Sequence, residues 1–214
     1  MMTEFHQWYQ NLQVERTLKA LKKNHFDARY VAKGSEALEE ILKMIPDGAT
    51  VGIGGSLTLN QIGFYEAIQK RPVKFLNPYV KGLPPQEGAR LRREGLTADV
   101  FLSSTNAITE DGKLFNIDAT GNRVGGMTFG PKKVIVVCGV NKIVKDLDSA
   151  WKKVQEWTSP VNVKRLNMKT PCLETGVCAD CNSPERICNV YVVLAKKPRF
   201  TDMTIFIVGE NLGF

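Results

Sequence analysis

The sequence predicts an α/β fold, a Rossmann-like parallel sheet with helices on both faces and an added β-hairpin. Three observations carry that prediction. Amphipathic stretches alternate with short β-rich runs along most of the chain. One of those runs, Pro131 to Val140, is apolar enough to be a strand covered on both faces. A Glu110-Asp111-Gly112 turn joins two further β-rich runs as a hairpin. With 214 residues, 43% of them hydrophobic, the chain can bury a core, and residues 1–214 read as one domain.

Taken in order, Glu4 to Asn24 spaces Phe5, Trp8, Tyr9, Leu12, Leu18 and Leu21 as an amphipathic helix that packs on a sheet. His25 to Val31 alternates as a strand. Ser35 is placed to cap a second helix running through Met44, with Glu36 in its first turn. Ala49 to Ile53 is the next strand, and Gly54-Gly55-Ser56 then opens a helix reaching to about Lys70, with Ser56 as its N-cap. A strand, glycine turn and helix in that order lets the backbone approach an anion, although neither G-x-G-x-x-G nor a Walker A motif is present, so a tight turn that needs small residues reads equally well.

Pro72 to Leu76 is a strand, Pro84 to Glu94 a helix and Asp99 to Ser103 a strand. The hairpin from Ala107 to Ile117 follows, then a polar turn from Asp118 to Arg123 and the buried strand to Val140. A helix from Asp148 to Thr158 carries Trp151 and Trp157, and Val190 to Leu194 and Met203 to Gly209 are the last strands. Asn106, Asp118, Asn122 and Arg123 before the buried strand, and Asn141 and Lys142 after it, gather where an open α/β sheet binds ligands. Asp118 suits either a general base or the cap of its own turn. Arg123 suits a bidentate grip on a carboxylate or a salt bridge that only fixes the loop, and Lys142, a candidate catalytic residue, suits a charge clamp or a solvated helix start.

The strongest chemical signal lies between residues 170 and 189. Cys172, Cys178, Cys181 and Cys188, four of the five cysteines, are spaced C-x5-C-x2-C-x6-C among turn formers. A disulfide framework is disfavoured in a long chain with no signal-peptide pattern and an odd cysteine. Zinc usually takes two C-x2-4-C knuckles, and here there is one. A single tight pair with outlying cysteines favours an iron–sulfur cluster, 4Fe-4S in preference to zinc, held by these four residues. Cys138, inside the apolar strand, reads as a small buried hydrophobe.

The formal net charge of +7 is dispersed in small groups, and no helix-turn-helix or RNP-like run accompanies it. This excludes nucleic acid and suits a small anionic ligand or an acidic redox protein partner. With no run of eighteen apolar residues and with free thiolates as candidate ligands, the protein reads as cytoplasmic and membrane-free; a homo-oligomer is compatible with everything above.

The segment NAITEDGKLFNIDATGNRVGGMTFGPKKVIVVCGVNKIV, with the earlier VGIGGSLTL and the cysteine stretch, resembles the LUD domain of lactate-utilisation proteins, in a single-domain branch bearing a cluster. The resemblance implies the fold shared by ribose-5-phosphate isomerase and the CoA transferases, with a four-cysteine loop inserted. It places Gly54, Gly55 and Ser56 at that fold's phosphate or CoA site and Asn106 at the start of the CoA transferases' catalytic loop. No glutamate stands at the nucleophile position there, only Thr105 to Thr109 before Glu110, which argues against a glutamyl thioester. The function implied is that of a subunit in 2-hydroxy acid oxidation and electron transfer. Alternatives are a ligand-sensing module stapled by zinc or a cluster, or a sugar-phosphate or CoA-ester enzyme.

Overall fold

The computed structural model describes residues 3–214. Its main sheet has six parallel strands, β1 (Asp27–Val31), β2 (Thr50–Ile53), β3 (Lys74–Leu76), β4 (Val100–Ser103), β7 (Lys133–Gly139) and β10 (Asp202–Val208), in the order β1-β10-β7-β4-β2-β3. A second sheet, ordered β8-β5-β6-β9, is built from the hairpin strands β5 (Ala107–Thr109) and β6 (Leu114–Asp118), flanked by β8 (Ile143–Val144) and β9 (Val190–Leu194). The parallel sheet and the hairpin are as the sequence predicts. Val190 to Leu194, however, joins the hairpin and not the main sheet, so the cysteine stretch leads into the second sheet.

Two apolar clusters lie on the two faces of the main sheet, and the period of two in its strands explains the division. Along β7, Val134, Val136 and Cys138 face one cluster while Ile135 and Val137 face the other. The first cluster is covered by α1 (Glu4–Lys23) and the second sheet; α2 (Gly34–Lys43), α3 (Leu57–Gln61) and α4 (Phe64–Ile68) cover the other. α5 (Pro85–Gly95) brings Gly95 against Gly52, where an added Cβ would stand 3.0 Å from backbone. α6 (Asn122–Thr128) does the same with Gly126 on the Phe101 ring, at 2.8 Å. A long helical stretch follows: α7 (Leu147–Lys153), a π-helical turn over Val154–Thr158, and α8 (Ser159–Leu166). Pro160 lacks the N–H that a regular helix needs there, and Ser159 N–H reaches back to Val154 O. The last helix, α9 (Pro171–Thr175), opens the cysteine stretch.

Four local expectations are corrected. Ser35 lies inside α2 and caps nothing; the Gly34 N–H is satisfied by the Glu210 carboxylate at 2.9 Å. The helix after Ser56 stops at Gln61 and restarts after Gly63, which has φ of 77°. α1 buries Val14, Thr17 and Leu21, but its amino-terminal aromatics Phe5, Trp8 and Tyr9 stay exposed. The polar turn at Asn122 is the start of α6. No helix among the described residues is long and apolar enough to cross a membrane.

Candidate functional site

The strand order reverses between β2 and β4, whose carboxyl ends therefore open a crevice. Gly54 N–H donates to Leu102 O across that junction at 3.0 Å. Ser56 caps α3 as expected, its Oγ accepting from Leu59 N–H at 3.2 Å. Gly54 and Gly55 are small for packing reasons. A Cβ on Gly54 would lie 2.5 Å from Arg123 Cγ, and one on Gly55, whose φ is +72°, would meet the Tyr79 ring at 2.6 Å. Asn122 Nδ2 donates to Tyr79 Oη at 3.4 Å, so Tyr79 roofs the turn.

Arg123 does not present a free guanidinium. It donates to Ser104 O at 3.0 Å, Asn116 Oδ1 at 2.7 Å, Asn106 Oδ1 at 2.9 Å and Ile117 O, and its Nε faces Asp118 at 3.7 Å. Its donors are committed to protein acceptors, which corrects the carboxylate-grip expectation. Asp118 is likewise committed: its carboxylate accepts from Thr120, Gly121 and Val124 N–H groups. That is the turn-capping alternative, and the general-base reading loses its free lone pairs. Asn106 Oδ1 also accepts from Ile117 N–H, and Asn141 Oδ1 accepts from Leu212 N–H at 3.0 Å, so both fix loops.

Lys142 is different. It ends a 3-10 turn, Val140–Lys142, beyond β7, and is 4% exposed. Its Nζ lies 2.8 Å from Ser104 Oγ and 3.2 Å from Thr58 Oγ1, both on buried residues. Burial, then the nearby charges of Lys153 and Arg123, outweigh the opposing effect of Cys138 and push the amine down to about 7. Burial also lowers Lys153 and Arg165, the latter an exposed residue of α8 whose Nε donates to Asn162 Oδ1 at 2.9 Å. None of Lys142, Lys153 and Arg165 belongs to an ion pair among the described residues. Tyr79, Ser104, Lys153 and Arg165 escape a linear reading because only the sheet order brings them together. Cys138 is a buried thiol pushed up to about 12, inert as expected.

Cys172, Cys178, Cys181 and Cys188 line one small, open-sided cavity of about 20 Å³ with Ser159, Val163 and Thr170. All four thiols are free and partly exposed. Cys172 rides on α9, behind Thr170 and Pro171, and Gly176 ends that helix with φ of 69°. Arg186 holds the loop shut: its guanidinium donates to Cys181 O at 2.6 Å and Cys188 O at 3.2 Å and pairs with Asp180 at 2.8 Å. Burial raises the Cys188 thiol against the pull of Arg186, and Cys178 and Cys181 raise it further, which marks these sulfurs as neighbours. No group of three or more His, Cys, Asp or Glu among the described residues is placed to hold a metal ion. A single zinc demands sulfurs at about 2.3 Å from one centre, whereas a cluster takes one thiolate at each of several irons. The four sulfurs line one cavity, but no three of them stand where a single zinc would need them.

The LUD domain family matches residues 14–208. The chain belongs to the LUD domain family. No curated protein matches it. Among solved structures, a DUF162 family protein from Deinococcus radiodurans is similar over 94% of this chain and 98% of its own, with a TM-score of 0.50 and 13% identity, a likeness of fold. eIF2B delta from Chaetomium thermophilum covers 66% of this chain and 54% of its own at 17% identity, and its TM-score of 0.35 bears no weight.

In this LUD domain the crevice and the cysteine cavity are neighbours. Asn189, next to Cys188, donates to Asp118 O at 3.0 Å and Ala119 O at 3.1 Å, tying the cysteine loop to the turn that carries Asn122. α8 forms one wall of the cavity through Ser159 and Val163.

Proposed function

We propose that this LUD-domain chain is a redox subunit of the lactate-utilisation type. It binds a small anionic organic ligand, a 2-hydroxy acid or its oxo product, in the crevice and holds a 4Fe-4S cluster on Cys172, Cys178, Cys181 and Cys188. The observation that carries the reading is the lining of one cavity by four free thiols, tied through Asn189 to the turn that carries Asn122. When bound, the cluster supplies one-electron transfer. The chain's own residues do the rest. Arg186 keeps the cysteine loop closed, Lys153 and Arg165 attract the ligand's carboxylate, Asn122 and Tyr79 close over it, and the α8 wall keeps it near the cavity without exposing the thiols to it. Electrons leave to a redox protein partner, and the thiolates persist because the compartment is the reducing cytoplasm.

Anaerobic purification tests the cofactor. The protein is expected to be brown, to absorb near ~400 nm, and to lose that absorbance in Cys181→Ser while its circular dichroism and melting remain those of a folded chain. Colourless protein carrying one zinc per chain overturns the cluster and leaves the four cysteines as a structural staple, the alternative that a ligand-sensing module requires.

A further inference from the structure

The buried amine of Lys142 has a geometry that anion binding does not use. Three elements deliver three groups to one point: Lys142 from the turn after β7, Ser104 from the end of β4, and Thr58 from α3. Ser104 Oγ is 2.8 Å and Thr58 Oγ1 3.2 Å from Nζ. A buried ammonium kept for structure normally meets a carboxylate or enough acceptors for its three N–H groups. Here it meets two hydroxyls, and each can donate as well as accept. The charged and titratable groups around it are Cys138 on β7, Lys153 on α7 and Arg123 on α6, none of them acidic at neutral pH. Asp118 is held by Arg123 and its own turn. Ser104 Oγ accepts from Nζ while its own proton goes to Thr105 O at 3.3 Å; with the amine neutral, that proton can turn to the Nζ lone pair.

We propose that Ser104 and Lys142 form a nucleophile–base pair that takes the acyl group of a small ester or thioester. Ser104 Oγ attacks the acyl carbon as its proton passes to Lys142 Nζ. The tetrahedral adduct collapses, its C–O or C–S bond breaks, and Lys142 returns the proton to the departing alkoxide or thiolate. Water, deprotonated by the same amine, then cleaves the Ser104 ester, releasing the acid and restoring the pair. No oxidant or metal enters, so the activity is independent of the cysteine cavity. Arg123, donating to Ser104 O at 3.0 Å, fixes the backbone of the nucleophile and is a positioning residue.

The carboxyl-terminal segment covers the pair. Gly213 packs so closely that a Cβ there would lie 2.9 Å from Nζ and 2.7 Å from Thr58 Oγ1. The segment is held by Asn141 Oδ1 accepting from Leu212 N–H and Gln61 Oε1 accepting from Gly213 N–H.

The test uses the full chain with diisopropyl fluorophosphate and with p-nitrophenyl acetate. One phosphoryl adduct per chain is expected on the peptide containing Ser104, together with a burst of p-nitrophenol. Ser104→Ala abolishes both. Lys142→Met slows both by about 100-fold or more, the scale of general-base assistance, and removes the rise in rate through neutral pH that the wild type shows. Absence of an adduct in the wild type, an adduct on a different residue, or equal labelling of Lys142→Met and wild type overturns the proposal. Melting curves confirm that each variant is folded, and Lys142→Arg, which keeps the charge and loses the base, serves where Lys142→Met does not fold; labelling at the wild-type rate in Lys142→Arg overturns it equally.

Discussion

Arg123→Ala is expected to lower the stability of the chain by about 3–5 kcal/mol, the range for removing one partner of a buried charge network. For a chain of this size that is a fall of roughly 6–20 °C in Tm. The magnitude follows from what is left behind. Asn116 Oδ1, Asn106 Oδ1, Ser104 O and Ile117 O all lose their donor, and the 8%-exposed Asp118 loses its nearest cation. Asn116 is fully buried and its Nδ2 already lacks a partner, so the site has no slack. Arg123→Lys should recover little, because an ammonium cannot span acceptors arranged for a planar fork. Urea denaturation measures the loss. Unchanged stability with weakened carboxylate binding would return Arg123 to the role of an anion grip.

Lys142→Met is expected to stabilise the protein, and to do so most at low pH. The unfolded amine keeps its proton up to its ordinary value of 10.5, while the folded one sheds it above about 7. Between those values the unfolded state binds more protons, so wild-type stability rises with pH through that window, and below about 7 the full penalty of burying the charge is present. The gap corresponds to roughly 5 kcal/mol at ~1.36 kcal/mol per pH unit. Leaving the Thr58 and Ser104 hydroxyls without the amine offsets part of it, for a net gain of roughly 2–4 kcal/mol at pH 6. The gain should hold below about pH 7, shrink above it, and change sign between about pH 8.5 and 10, where the fading penalty no longer exceeds the offset. Denaturant midpoints at a series of pH values report it, and equal stability of variant and wild type at pH 6 would mean that the amine is not desolvated.

How legible each part was depended on how far its causes lay along the chain. β2, β4, β7 and β10 were readable because burial on both faces writes itself as apolar runs, and the hairpin because Gly112, with φ of 82°, meets the demand of its turn. α6 was not, since Gly125 and Gly126 argue against a helix; packing of Gly126 on Phe101 fixes it there. The cap of α2 could not be read either, because its acceptor, Glu210, lies 176 residues away. In the site, Ser56 and the four cysteines were legible from local spacing. Asp118 and Arg123 were correctly placed but misread in part: a turn that binds an anion and a turn held by its own Asp–Arg pair have the same polar sequence. Lys142 was visible as a lysine just past a buried strand. Its partners Ser104 and Thr58, 38 and 84 residues away, were not, because a list of residues does not carry the order β7-β4-β2 that brings them together.

The central claim is a redox centre at the four cysteines, adjoining an anion-binding crevice. Electron paramagnetic resonance of the anaerobic, dithionite-reduced protein, recorded with and without lactate, tests it most directly. The account predicts a one-electron signal that disappears in Cys181→Ser and whose shape changes when lactate occupies the crevice. A protein that stays silent on reduction and carries zinc would contradict it.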